Sequence, residues 1–194
     1  VHISSGCIFE SIDGKPIFKE TDFPRPVAFY SWSKTWADQL IQDKVKKGLK
    51  ALILRPRLLC SSQLHPRNTI YKMLNYKEFH TNQNSMTIAD DLLTATKHLI
   101  EKNQTGIFNV TNSGAITPYK IALMLKNHIN AEMEISIKPK EELDKKSKVK
   151  RVDTIIDTTK LEKTGLKLPD ISKRIDETIL LLKENVVKNN TQMI

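Results

Sequence analysis

Tyr30 and Lys34, four residues apart in the segment Tyr30-Ser31-Trp32-Ser33-Lys34, are the pair in this chain best suited to moving a proton. On a helix, four residues is about one turn, so the phenol and the ammonium would share a face. A phenol ordinarily keeps its proton to about pH 10. A neighbouring ammonium favours the phenolate and lets the tyrosine exchange a proton with a carbonyl or hydroxyl. The spacing alone recurs by chance and is satisfied by any helix-surface pair. It gains weight from Ser4 and Ser5, which end an apolar run upstream, because parallel sheets bind ligands at the carboxyl ends of their strands. A Ser5 hydroxyl at such an end would donate to the oxygen that Tyr30 protonates, holding a carbonyl for hydride attack.

These residues need elements to position them. Residues 1–9 read as a buried strand, and the polar stretch Ser11–Pro26 as a loop. From Phe29 the apolar residues Trp36, Ala37, Leu40, Ile41 and Val45 recur at helical steps, predicting an amphipathic helix that ends at Gly48. Ala51–Leu54 is then a short buried strand. Strand, helix, strand is the signature of an α/β protein with a parallel sheet and crossover helices. The pattern resumes where Thr87 can cap a helix carrying Ile88, Leu92, Leu99 and Ile100, followed by a strand at Ile107–Val110. Between them Leu59–Ser85 is irregular and is expected to lie over a site rather than in the core. Thr117 and Pro118 open a helix to about Ile129, and Met133–Ile137 reads as a strand. Asp157–Leu161 opens another helix. Asp170 caps a last one with an apolar stripe of Ile171, Ile175, Ile179 and Leu182, and polar Lys188–Thr191 is expected to fray.

Bulk properties exclude several classes. The 194 residues are 39% hydrophobic and 27% charged, ordinary for a globular chain, and no apolar run approaches the roughly 20 residues that cross a bilayer. The net charge of +9 raises nucleic-acid binding. Its densest part, Lys138–Arg151, is interrupted by Glu141, Glu142 and Asp144 and has no aromatic residue to stack on a base, which argues for a solvated lysine-rich loop. The charge also suits a nucleotide diphosphate. Cys7 and Cys60 lack metal or disulfide spacing, and His2, His65, His80, His98 and His128 are scattered, so no metal is expected and a reducing, cytoplasmic setting fits best. An apolar strand-like start at Val1, without a basic leader, leads us to expect a chain that begins inside a fold.

Taken together, His2-Ile3-Ser4-Ser5-Gly6-Cys7-Ile8-Phe9, the Tyr30–Lys34 segment and Leu54-Arg55-Pro56-Arg57 resemble the second half of the extended (atypical) short-chain dehydrogenase/reductase fold, the NAD-dependent epimerase/dehydratase family. The runs from His65 to Met73, Asn84 to Leu93 and Gly106 to Gly114 resemble, in order and spacing, the nucleotide-rhamnose synthase branch. That branch holds bifunctional 3,5-epimerase/4-reductases and dTDP-4-dehydrorhamnose reductases. The similarity runs from Val1 to about Leu161. It implies the C-terminal half of a Rossmann-type parallel sheet with a smaller α+β substrate-binding region. Residues 1–58 would form the second Rossmann half with the catalytic serine and tyrosine-lysine pair, and 59–86 a substrate-binding segment. Residues 87–115 would return to the Rossmann sheet, and 116–194 would form the C-terminal substrate-binding region.

The resemblance further implies hydride delivery from NADPH or NADH (NADP or NAD as cofactor) to the C4 ketone of a nucleotide-linked 4-keto-6-deoxyhexose. Ser5, Tyr30 and Lys34 match the catalytic positions, with Lys34 and Tyr30 also beside the nicotinamide ribose and Ser4 nearer the cofactor. Cys7 matches an acid/base proposed for epimerisation next to the ketone, and a thiol suits a base that must also return the proton. Lys72 matches the second acid/base, and Arg67 and Asn68 the nucleotide or sugar contacts. A free cysteine at a strand end is also commonly a core residue, and Lys72, Arg67 and Asp90 each have simple readings as surface or helix-end charges. Trp32 and Trp36 share a helix face fit for packing or for a homodimer contact. Where the branch has a proline before its serine pair, this chain has Leu59-Cys60-Ser61-Ser62. A glycine-rich phosphate-binding turn is absent from the sequence, so these residues alone are expected to bind cofactor weakly and to be inactive. The competing reading is a non-catalytic regulatory or binding subunit on the same fold, against which the intact Ser5, Tyr30 and Lys34 argue.

Overall fold

The computed structural model describes residues 1–10, 17–147 and 152–191; residues 11–16 of the expected loop and 148–151 of the lysine-rich stretch lie outside the described residues. In chain order the elements are β1 (His2–Ile3), a 3-10 turn (Gly6–Ile8), β2 (Ile17–Phe18), α1 (Phe29–Lys46), β3 (Leu52–Arg55), β4 (Leu59–Cys60), α2 (Thr69–Met73), β5 (Glu78–Phe79), β6 (Thr87–Ile88), α3 (Ala89–Glu101), β7 (Gly106–Asn109), α4 (Pro118–His128), β8 (Ser136–Ile137), α5 (Lys140–Lys145), β9 (Ile155–Ile156), α6 (Thr159–Glu162) and α7 (Ile171–Thr191). The class is α/β, as expected. β1, β3 and β7 pair in parallel in that order, with Ile3 opposite Leu54 and Leu54 opposite Phe108. Every residue of the central strand β3 is buried, which is why it reads as an unbroken apolar run ending in a charge. Three smaller parallel pairs, β2 with β9, β4 with β6 and β5 with β8, tie distant segments together.

Two large apolar cores and a small third one, of Ile8, Phe9, Phe18 and Ile156, hold the described residues together. On one face of the sheet Leu52, Leu54 and Phe108 pack with Leu92 and Leu99 of α3 and with Leu161 and Leu168. The larger core joins α2, α4 and α7, and in it Ile171, Ile175, Ile179 and Leu182 are wholly buried. Two of the helix starts read from the sequence, at Thr117 and Asp170, form as expected. Thr117 accepts from the Lys120 N–H at 3.0 Å ahead of Pro118, and Asp170 Oδ1 accepts from the Ser172 N–H at 2.9 Å.

Elsewhere the structure corrects the reading. The strand expected over residues 1–9 is only β1. Ser5 takes the Cys7 N–H on its side chain at 3.1 Å and starts the 3-10 turn, a local bond that competes with the ladder. A short strand, β2, sits where only loop was expected. Helix α1 falls in the predicted place, but Trp36 and Leu40 are exposed, and the side it buries is polar: Ser31, Thr35 and Asp38. The cause is Arg55, whose Nε donates to Asp38 Oδ2 at 2.9 Å with both side chains almost wholly buried. A charge inside the sheet needs a counter-ion more than the helix needs its apolar face covered.

Thr87 lies in β6 and caps no helix; its hydroxyl donates to the Val110 carbonyl at 2.8 Å and accepts the Arg57 N–H at 3.0 Å. Ile88 is the last residue before α3, and Ile100 is exposed. The segment Leu59–Ser85 contains β4, α2 and β5 and sends Cys60, Ile70, Met73 and Phe79 into the larger core. The expected strand at Met133–Ile137 shrinks to β8. The start of the lysine-rich stretch is the helix α5, and α7 extends to Thr191. Among the described residues no helix is long and apolar enough to cross a membrane, and no cluster of three His, Cys, Asp or Glu side chains could hold a metal.

Candidate active site

Because β1, β3 and β7 run parallel, their carboxyl ends meet on one side of the sheet, and the chemistry-bearing residues gather there. The Lys34 ammonium donates to the carbonyl of Ile3, the last residue of β1, at 2.9 Å and lies 5.8 Å from the centre of the Tyr30 ring one turn earlier on α1. Helix α1 packs against the 3-10 turn that Ser5 caps. Ser5 is 5% exposed, and its oxygen accepts the Cys7 N–H, so the hydroxyl hydrogen stays available to donate elsewhere. Tyr30 is half exposed, and among the described residues its phenol makes no hydrogen bond. The elements that carry Tyr30, Lys34 and Ser5 therefore meet at the end of β1. Ser4 is buried there, and its hydroxyl has no partner among the described residues, a group that a bound ligand would satisfy. This orphaned hydroxyl, on the residue after the Ile3 carbonyl that Lys34 takes, fits a polar group of a nicotinamide cofactor such as its ribose or amide.

A second cluster lies alongside. The Arg57 guanidinium, on a residue 3% exposed, donates from Nη1 to Cys7 Sγ at 2.8 Å and from Nη2 to Asn84 Oδ1 at 2.9 Å and to the Val152 carbonyl. Asn84 Nδ2 donates to Asp153 Oδ1 at 2.7 Å, and Asn82 Nδ2 to Asp153 Oδ2 at 2.9 Å. Sequence reasoning placed Arg57 only by family resemblance and missed Asn84 and Asp153. The available signal was the pair of arginines in the otherwise apolar run from Leu52 to Cys60. Buried arginines there require built partners.

The remaining expected residues lie further along. Asn68 is buried and spends its side chain on its own loop: Nδ2 donates to the carbonyls of Ser61 (2.7 Å) and Gln63 (2.8 Å), and Oδ1 accepts the Ile70 N–H. Asn68 thus shapes the loop that carries Arg67. Arg67 is exposed at a cavity of about 460 Å³ that also touches Gln63, Leu64, His65 and Ala89. Lys72 is exposed on α2, and its ammonium makes no hydrogen bond or ion pair among the described residues. No direct contact joins Lys72 to Cys7 or Tyr30. Asp90 is an exposed first-turn residue of α3; its neighbour Asp91 is the structural one, accepting from Asn112 Nδ2 at 2.6 Å and from Arg174 Nε at 3.0 Å. That carboxylate raises the Arg174 guanidinium further above its ordinary value.

The fold is an α/β one with a Rossmann-type parallel sheet, and Ser5, Tyr30 and Lys34 lie on the elements that meet at the end of its strand β1. The chain belongs to the family described as RmlD substrate binding domain, which matches residues 1–183. It is 34% identical over 169 residues to the bifunctional dTDP-4-dehydrorhamnose 3,5-epimerase/dTDP-4-dehydrorhamnose reductase of Arabidopsis thaliana, covering 84% of this chain and 55% of that protein. Its structure resembles the L780 UDP-rhamnose synthase of Acanthamoeba polyphaga mimivirus, with a TM-score of 0.77 and 28% identity over 93% of this chain and 65% of that one. The fold is also that of the dTDP-4-dehydrorhamnose reductase of Bacillus anthracis, solved in complex with NADP, with a TM-score of 0.76 and 20% identity over 92% of this chain and 64% of that one. The chain thus spans between about half and two thirds of the length of these relatives.

Proposed function

We propose that this chain carries the reducing site of an enzyme of nucleotide-rhamnose synthesis, acting on a UDP- or dTDP-linked 4-keto-6-deoxyhexose. The observation that supports it most is the Lys34 ammonium fastened to the Ile3 carbonyl, which brings Tyr30 and Ser5 to one strand end. Ser4, Tyr30 and Lys34 would hold the nicotinamide cofactor, NADP or NAD, which supplies a hydride to the C4 carbon when bound. As negative charge develops on the ketone oxygen, the Tyr30 phenol gives it a proton and Ser5 donates a hydrogen bond to it. Lys34 keeps positive charge beside the phenol, favouring its departure as phenolate.

The same ketone acidifies the carbons next to it. In our reading the Cys7 sulfur takes a proton from such a carbon. The C–H electron pair becomes the C=C of an enolate, and the negative charge passes to the ketone oxygen held by Tyr30 and Ser5. The Lys72 ammonium returns a proton to the opposite face, which restores the ketone at an inverted centre. Arg67 at its cavity would meet the diphosphate, with Asn68 holding the loop in shape. The exposed Trp32 and Trp36 on α1 support a homodimer, and two free cysteines suit a cytoplasmic protein.

The test is to supply the full-length protein with a 4-keto-6-deoxy nucleotide sugar and NADPH or NADH and to follow the reduced sugar by NMR. Tyr30→Phe is expected to lower turnover by at least about 100-fold, the usual worth of a positioned acid, with an unchanged melting curve. Equal turnover in that variant would remove the assignment.

A further inference from the structure

The surroundings of Arg57 are unusual for a buried cation. Among the described residues its side chain donates to the Cys7 sulfur, the Asn84 amide oxygen and the Val152 backbone carbonyl, none of them a carboxylate. Its Nε is buried without a partner among the described residues. The nearest anion in the network, Asp153, is reached through Asn84 and already accepts from Asn82, with His80 Nε2 4.0 Å away. A guanidinium removed from water needs an acceptor for each N–H it buries, and one of those found here is the sulfur of Cys7 at 2.8 Å.

The chain is shaped to allow this approach. At Gly6 a Cβ would stand 3.3 Å from Arg57 Cδ, 3.4 Å from its Cβ and 3.1 Å from Ile156 Cδ1, so the absent side chain clears the path of the arginine stem. Leu58, directly after Arg57, takes a left-handed conformation (φ 43°) that a leucine adopts only where its surroundings enforce it.

We infer that Arg57 is a positioning residue for Cys7. With Asn84 and Asp153 fixing its orientation, the guanidinium holds the sulfur at the carboxyl end of β1 as a proton acceptor. This rests on the reading of Cys7 as the base that epimerises the carbon beside the ketone. Arg57 itself touches no reacting atom; it acts through the sulfur.

Iodoacetamide labelling of Cys7 at pH 7, read by mass spectrometry of the peptide that carries it in the full-length protein, tests the inference without depending on turnover. Arg57→Gln keeps donors to Asn84 and Val152 but removes the charge, and is expected to slow labelling about tenfold. Arg57→Lys, which restores a cation, is expected to recover it to within about threefold. Equal rates in Arg57→Gln and the unaltered protein would overturn the inference. So would a failure of Arg57→Lys to exceed Arg57→Gln. Should Arg57→Gln not fold, the unaltered protein provides the second measurement: Cys7 should label at least as fast in the native state as in urea. Native labelling about tenfold slower, as for an ordinary half-buried thiol, would overturn it. If labelling follows expectation while Cys7→Ala still exchanges the carbon-bound protons of the keto sugar with deuterium oxide, the hold of Arg57 on Cys7 stands and the epimerising role of Cys7 falls.

Discussion

Burial pushes the Cys60 thiol up to about 12, with the Asp91 carboxylate adding to the effect, whereas Cys7 is half-buried against a guanidinium. The two cysteines of one chain are therefore expected to behave oppositely. Cys60 should stay unlabelled by iodoacetamide at pH 8 in the native protein and react once it is unfolded. The same shift has a stability consequence. Above the ordinary thiol value of 9.0 the unfolded chain releases the Cys60 proton while the folded chain keeps it until about 12. The native state then binds more protons, so stability falls as pH climbs through that interval. Urea midpoints should decline across it, and less steeply in Cys60→Ala. Cys7 could be named from the sequence through family likeness. Its partner could not, because 50 residues separate Cys7 from Arg57 and nothing local at either position announces the other.

Helix α1 carries Tyr30 and Lys34, and its seating decides where they point. Periodicity located the helix to within two residues of its end, yet it assigned the wrong face, because a hydrophobic pattern takes no account of Arg55, the cation inside the sheet that Asp38 must neutralise. Asp38→Ala would leave that guanidinium buried without its counter-ion. It is expected to cost about 3–5 kcal/mol in a denaturant titration and to loosen the approach of α1 to β1. The helix starts at Thr117 and Asp170 were legible because a cap is a contact over two or three residues. Their loss is correspondingly smaller: Asp170→Ala is expected to cost about 1 kcal/mol by the same titration. Thr87 looked like such a cap, but its hydroxyl is taken by Arg57 and Val110, which lie just past the ends of β3 and β7.

Across the whole molecule, the surroundings of the β1 strand end are assembled from segments far apart in the chain. Phe9 accepts from Thr154 Oγ1 at 3.0 Å, Arg57 reaches the Val152 carbonyl, and β2 pairs with β9. Beyond these, α7 supplies four wholly buried residues to the larger core. A chain ended after residue 147 is thus expected to lose its cooperative melt and its near-ultraviolet circular dichroism, an outcome distinct from loss of a separable tail. The α/β order of elements was readable because strands and helices announce themselves over short stretches. The closing contacts were not, since they join residues 57 and 84 to a segment about 70 to 95 positions later. In the proposed reduction the Ser5 and Tyr30 hydroxyls serve one ketone oxygen at that shared strand end. A double-mutant cycle on kcat for reduction of the 4-keto sugar tests it most directly. Ser5→Ala and Tyr30→Phe should each lower kcat by about 100-fold or more, and the double variant should fall no more than about tenfold below Tyr30→Phe. Losses that multiply in full would place the two hydroxyls at separate tasks and contradict the account.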